Sequence, residues 1–211
     1  MALIAKDTTL QNMPGGYASF RDLVKSGHQA HSMGFCGSNG DVSRFAARFR
    51  VAKSFKGITL AGYSSETTRG YDALFRVFLV WSAFERFMAL LGAKQDTIMP
   101  RLRPYAPERN LRFIRKQDHA GRFLSFLLQY VGSKLKKDLT AIQTGGSNNI
   151  TFVAAAARHI FAHGHLSAHA NGADPDAVDA ICTTLFDFHL AVMDKEFEKT
   201  IAKYKKQLPH Q

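Results

Sequence analysis

Residues 149–169 read NITFVAAAARHIFAHGHLSAH, and the pattern of this stretch decides how the rest of the chain is read. Placed at about 100° each, Ile150, Val153, Ala154, Ala157, Ile160 and Phe161 fall within roughly 120° of one another, the apolar stripe of a helix that faces a core. The opposite side carries Phe152, Ala155, Ala156, His159 and His163. These are small apolar residues and imidazoles in place of the charges of a solvated face. Small side chains permit close approach, so a second helix is expected there, from this chain or from a symmetric partner. Gly164 stands where it can end the helix directly after His163.

Outward from this segment the chain reads as mostly helical. Periodicity predicts a helix over 71–91, another from Pro107, one near 149–163 and a last one from Pro175 to about Lys206. The run 107–142 can break near Gly121 or Gly132, giving one or two helices. The final helix has clear end signals: Asp174 as N-cap, Pro175 in the first turn, and Lys203, Lys205 and Lys206 at the far end. Trp81, Phe84, Phe87 and the run 88–91 are read as bundle core, not as a base-stacking platform. Before residue 70 the signals are weaker. Residues 17–26 and the series Val42, Phe45, Ala46, Phe49 suggest two helices, and 57–65 fits either a short strand or an irregular link. The expected fold is therefore all-α: an antiparallel helical bundle over 70–207 preceded by a less regular, partly helical N-terminal extension over 1–69.

The chain has 211 residues with 28 Lys and Arg, 17 Asp and Glu and two Cys. Its net charge of +11 is unevenly placed: residues 101–137 carry ten basic and two acidic side chains, and residues 1–69 nine and four. A block of this kind attracts polyphosphate by releasing condensed counterions. Within it Arg109, Arg112, Arg115, Lys116 and Arg122 are the candidate nucleic-acid contacts, because the Arg residues recur near helical spacing. Two cysteines without a CxxC pair exclude a disulfide framework, a zinc ribbon and an iron–sulfur site, and suit a reducing compartment. The N-terminus lacks a basic region followed by an unbroken apolar one, so a secretory signal is not expected. The most apolar stretch, 73–93, is interrupted by Arg76, Glu85 and Arg86, which argues for a buried helix and against a membrane span. A cytoplasmic location follows as the expectation. Gly145-Gly146 lacks the Lys-Ser/Thr of a P-loop and reads as a turn.

Four of the nine histidines, His159, His163, His165 and His169, lie within eleven residues directly after Arg158. The string Arg158-His159-Ile160-Phe161-Ala162-His163 is an Arg-x4-His near the end of a helix, and here the sequence resembles the HEPN superfamily. The resemblance spans about residues 70–206. It implies a helical bundle in which Arg158 and His163 form the catalytic motif, with His159 in the supporting polar position. It also implies metal-independent RNA cleavage without a cofactor, in a site composed across a homodimer, as in toxin or defence systems where an antitoxin or regulatory protein is a further partner. Arg21 with His28 and Arg112 with His119 have similar spacing, but neither lies on an alanine-rich helix ended by glycine.

The chemistry agrees with the residue types. Attack by a ribose 2′-hydroxyl needs a base for its proton, an acid for the departing 5′-oxygen and stabilisation of the phosphorane, which imidazole and guanidinium supply. Two other functions compete. One is a non-catalytic RNA-binding or protein-interaction module in which the histidines are structural and Arg158 pairs with a carboxylate such as Glu85. The other is a metal site built from His159, His163, His165 and His169.

Overall fold

The structure, a computed structural model, describes residues 10–169 and 172–208. Among these, nine α-helices occur and no strand. They are α1 (Tyr17–Lys25), α2 (Asn39–Ser54), α3 (Ser65–Leu90), α4 (Met99–Leu102), α5 (Pro107–Gln117), α6 (Arg122–Tyr130), α7 (Ser133–Gln143), α8 (Thr151–Ala162) and α9 (Pro175–Gln207). The protein is an all-α helical bundle.

Local chemistry sets several boundaries. Ser38 and Asp41 form a reciprocal capping box at α2, and Ser64 accepts from the Thr67 amide at α3. Asp174 caps α9 by accepting from the Asp176 amide at 3.0 Å, as its position before Pro175 predicts. The stretch 57–64 is an irregular link, held where Asp72 accepts from the Ile58 amide at 2.9 Å, and α3 starts at Ser65, before the expected 71, because Ser64 caps it there.

The run after Pro107 divides into three helices, one more than expected, because both glycines break it. Ala120 and Gly121 take left-handed backbone conformations. The buried Asp118 carboxylate then accepts from the amides of Phe123 at 2.7 Å and Leu124 at 2.9 Å, starting α6 afresh. Val131 is extended, and α7 begins directly after Gly132. That second break supplies a free helix start close to the histidine-rich helix.

Two long helices, α3 and α9, form the centre and run in the same direction: Arg69 meets Asp176 near their starts and Phe84 meets His189 further along. Helix α8 lies antiparallel to α3, with Asn149 bonded to the Gln95 carbonyl at one end and Phe161 against Phe75 at the other. Helix α2 is also antiparallel to α3. One apolar cluster extends from Tyr17 and Phe20 through Phe84 and Phe87 to Phe197 and Ile201, so α1 and α2 share the core of the later helices. Removing a fully buried ring such as Phe84 or Phe197 costs about 3–5 kcal/mol. The predicted core stripe of α8 is in place: Ile150, Val153, Ala154, Ala157 and Ile160 are buried, and Phe161 is partly so. Its second side is covered in part by this chain, because α6 and α7 pack on α8 and bury Phe152 and Ala156.

Gly70 brings the segment after α8 onto α3. A Cβ there would lie 2.6 Å from the Ala168 Cβ, so only glycine lets the two backbones approach this closely. None of the described helices is long and apolar enough to cross a membrane.

Candidate functional site

Helix α8 ends in a Schellman arrangement. The Gly164 amide donates to the Phe161 carbonyl at 3.0 Å and the His165 amide to the Ile160 carbonyl at 3.1 Å, with Gly164 at φ +74°. His163 is the C-cap residue and is exposed. The rings of His159 and His163, one turn apart, touch with centroids 4.5 Å apart and planes at 65°. Arg158 is half-buried beside them. Its Nη2 lies 3.8 Å from Glu85 Oε2, its guanidinium 5.9 Å from the Phe78 ring centroid, and its Nε is buried without a hydrogen-bond partner.

Arg158 and His159 line an open groove of about 450 Å³ between α3, α7 and α8. Trp81, Glu85, Ala155 and Gln95 also line it, together with the segment Gly132–Leu135 at the start of α7. No side chain caps that helix start. Its first-turn amides and the positive end of the helix dipole therefore add to the positive charge of Lys134. A second buried donor at the groove, Gln95 Nε2, also has no hydrogen-bond partner. The two carboxylates nearby are held loosely: Glu85 by Arg158 at 3.8 Å, Asp96 by Lys134 at 3.6 Å, all substantially exposed on the carboxylate side. Exposed pairs at such distances are worth about 0–1 kcal/mol and exchange readily for a phosphate.

The His159 ring is pushed below the usual histidine range, first by partial removal from water, then by the neighbouring His163 and Arg158. Each effect opposes placing a proton on it. His159 thus takes up a proton less readily than a free histidine, at the edge of a groove that Glu85 lines together with the donors of Arg158, Lys134 and Gln95.

The remaining sequence candidates lie elsewhere. Arg109, Arg112, Lys116 and Arg122 are exposed, Arg115 is half-buried, and none of the five lines the groove of Arg158. Arg115 donates to the Ile142 carbonyl and ties α5 to α7, while Arg122 donates to the Gly172 carbonyl at 2.9 Å. Arg109 borders a separate groove with Phe113 and Asp187. The four clustered histidines also part company: His165 stacks on Tyr130, and His169 Nε2 meets Thr67 Oγ1 at 3.0 Å. Among the described residues no three metal-ligating side chains converge.

Lys134, Gln95 and the α7 start are the groove components that sequence reading did not single out. Lys134 lies within the basic block, and Gly132 before it was the available sign that a helix begins there. A different groove, of about 310 Å³, contains the buried Glu196. Arg101 and Lys199, each 3.5 Å away, and the Tyr105 hydroxyl at 3.2 Å satisfy that carboxylate, giving it a structural role. Comparisons with known protein families, curated proteins and solved structures find no match to this chain.

Proposed function

We propose that the groove binds an RNA backbone and that the chain is an endoribonuclease acting through the ribose 2′-hydroxyl without a metal. The observation that carries this reading is the adjacency of Arg158 to a pair of touching imidazoles, one of which, His159, is less basic than a free histidine and lines the same groove as Arg158, Lys134 and Gln95. Arg158, Lys134 and the amides of the α7 start bind the phosphate and stabilise the charge gathering on its oxygens. His159 takes the proton from the 2′-hydroxyl, the 2′-oxygen bonds to phosphorus, and the bond from phosphorus to the 5′-oxygen breaks.

Rings in contact leave no room for a phosphate between them. His159 and His163 therefore lie on one side of the phosphorus, whereas in-line departure needs its proton on the other. A second copy of the chain presenting the same edge supplies that acid, which makes a homodimer part of the proposal. His163 moderates the basicity of its neighbour and passes the proton onward to solvent.

The deciding experiment incubates single-stranded RNA with the protein in chelator and identifies the ends formed. Expected are a 2′,3′-cyclic phosphate and a 5′-hydroxyl, lost on His159→Ala or Arg158→Ala with fold and assembly unchanged. Full cleavage by both variants, or cleavage abolished by chelator, overturns the mechanism.

The Arg158–Glu85 ion pair favours one other reading, a non-catalytic RNA-binding or protein-interaction module in which that pair braces α8 against α3. It predicts salt-dependent association without turnover, and Glu85→Gln then destabilises the fold without altering any chemistry.

A further inference from the structure

Beside the groove stands an aromatic ladder rooted on the core residue Phe126, whose two outer rings the proposed proton transfers do not use. Tyr130, the last residue of α6, contacts Phe126 with centroids 4.6 Å apart and His165 with centroids 5.1 Å apart, the latter pair nearly parallel at 19°. Phe126 is buried, Tyr130 is 41% exposed and His165 is exposed. The ladder thus begins in the core and ends on an imidazole open to solvent.

Its position is fixed by two chain segments that also build the groove. Tyr130 precedes Gly132 on the groove wall by two residues, so their Cα atoms are at most about 7.6 Å apart. His165 follows the C-cap His163 by two residues and is anchored by its amide on the Ile160 carbonyl. The Tyr130–His165 pair gains little from burial, since both of its rings meet water. An exposed, rigidly held aromatic face beside a phosphate site is what a nucleobase stacks on.

We infer that the Tyr130–His165 stack is a nucleobase subsite, holding one unpaired base of an RNA strand whose adjacent phosphate lies in the Arg158–Lys134 groove. The inference rests on the proposed reading of that groove and narrows its substrate to single strands, because an A-form duplex keeps its base faces stacked on one another. Every base has a π-face, so the subsite selects for an accessible base and not for a sequence. Tyr130 supports the imidazole from beneath, and His165 presents the face that the base meets.

The test measures binding of a short single-stranded RNA, 2′-O-methylated so that it cannot be cleaved, and of the same strand carrying abasic residues. The proteins compared are the unaltered chain, Arg158→Ala, Tyr130→Ala, Tyr130→Phe, His165→Ala and His165→Phe. The alanine changes at 130 and 165 are expected to weaken binding of the intact RNA about tenfold, and the phenylalanine changes less than about twofold. On abasic RNA the unaltered chain and Tyr130→Ala bind alike, which a merely structural role for Tyr130 does not produce.

Binding that depends on Arg158 yet ignores His165→Ala and the loss of bases overturns the subsite alone. No RNA binding by the unaltered chain, or binding indifferent to Arg158→Ala, overturns the groove reading and the subsite with it.

Discussion

His159 on α8 and His189 on α9 both resist protonation, and the contrast between their surroundings separates chemistry from architecture. His189 is fully buried against the rings of Trp81, Phe84 and Phe188, its Nδ1 donates to the Leu185 carbonyl at 2.6 Å, and burial lowers its pKa to about 4. No substrate can reach it. His159 is exposed at the edge of an open groove, and its pKa is lowered first by partial removal from water and then by its neighbours His163 and Arg158. Loss of basicity by burial in a ring cage serves the fold, whereas at a solvent-accessible edge the imidazole stays open to a substrate, as the proposed mechanism requires.

The contrast can be broken in several places, the largest at His159 itself. His159→Ala is expected to lower the rate of RNA cleavage by about 10²–10⁴ while leaving the melting temperature within a few degrees, measured by single-turnover cleavage and thermal melts. If the rate survives, the groove histidine is no base and the contrast collapses. Arg158→Ala should cost about 10²–10³ in rate, through lost stabilisation of the phosphorane, and Arg158→Lys should restore only part of it because the planar fork is lost.

At the buried site the expected effect is on stability alone. Because the folded-state pKa of His189 lies below the unfolded value, unfolding takes up a proton in acid; the stabilisation is complete above about pH 6.5 and is lost as pH falls toward 4. The loss amounts to about 3 kcal/mol. Denaturant titrations across that interval should show this slope and show it flattened in His189→Asn, with cleavage by the variant unchanged at neutral pH. A flat profile in the unaltered chain contradicts a buried neutral imidazole.

A smaller effect belongs to His163. On the proposed mechanism acidification protonates the base His159, and the cleavage rate is expected to fall in acid with a midpoint below that of free histidine. His163→Ala removes one cause of that depression, and the midpoint should rise toward 6.5 in a pH–rate profile. The smallest change expected is at Lys134. Lys134→Ala should weaken RNA binding a few-fold and reduce the slope of log affinity against log salt by about one phosphate contact, read from binding isotherms at several salt concentrations.

Much of the fold was legible residue by residue because the signals are local. The stripe of α8, the Asp174–Pro175 start of α9 and the stop at Gly164 each depend on neighbours within one or two turns, and each stands where the sequence places it. The division of 107–143 was only half legible: glycine shows where a helix can break, but the Asp118 carboxylate reaching over to the Phe123 and Leu124 amides makes the break at Gly121 certain. The candidate site divides in the same way. His159 and His163 share a face by their i, i+4 spacing alone, whereas Arg158 lies about 100° round the helix from His159, and Lys134 and Gln95 join these two at the groove through α7 and the segment after α3, far away in sequence.

By itself the sequence determined that the chain is helical, where α8 stops and α9 starts, and that two imidazoles lie along one side of α8, since backbone geometry and side-chain periodicity act over a few residues. Only the tertiary structure decided which imidazole lines the groove, that an uncapped helix start lines it with Arg158, and that the basic residues of α5 lie elsewhere. Those facts depend on where α3, α7 and α8 meet, and packing of apolar faces fixes that meeting without reference to the polar residues it brings together.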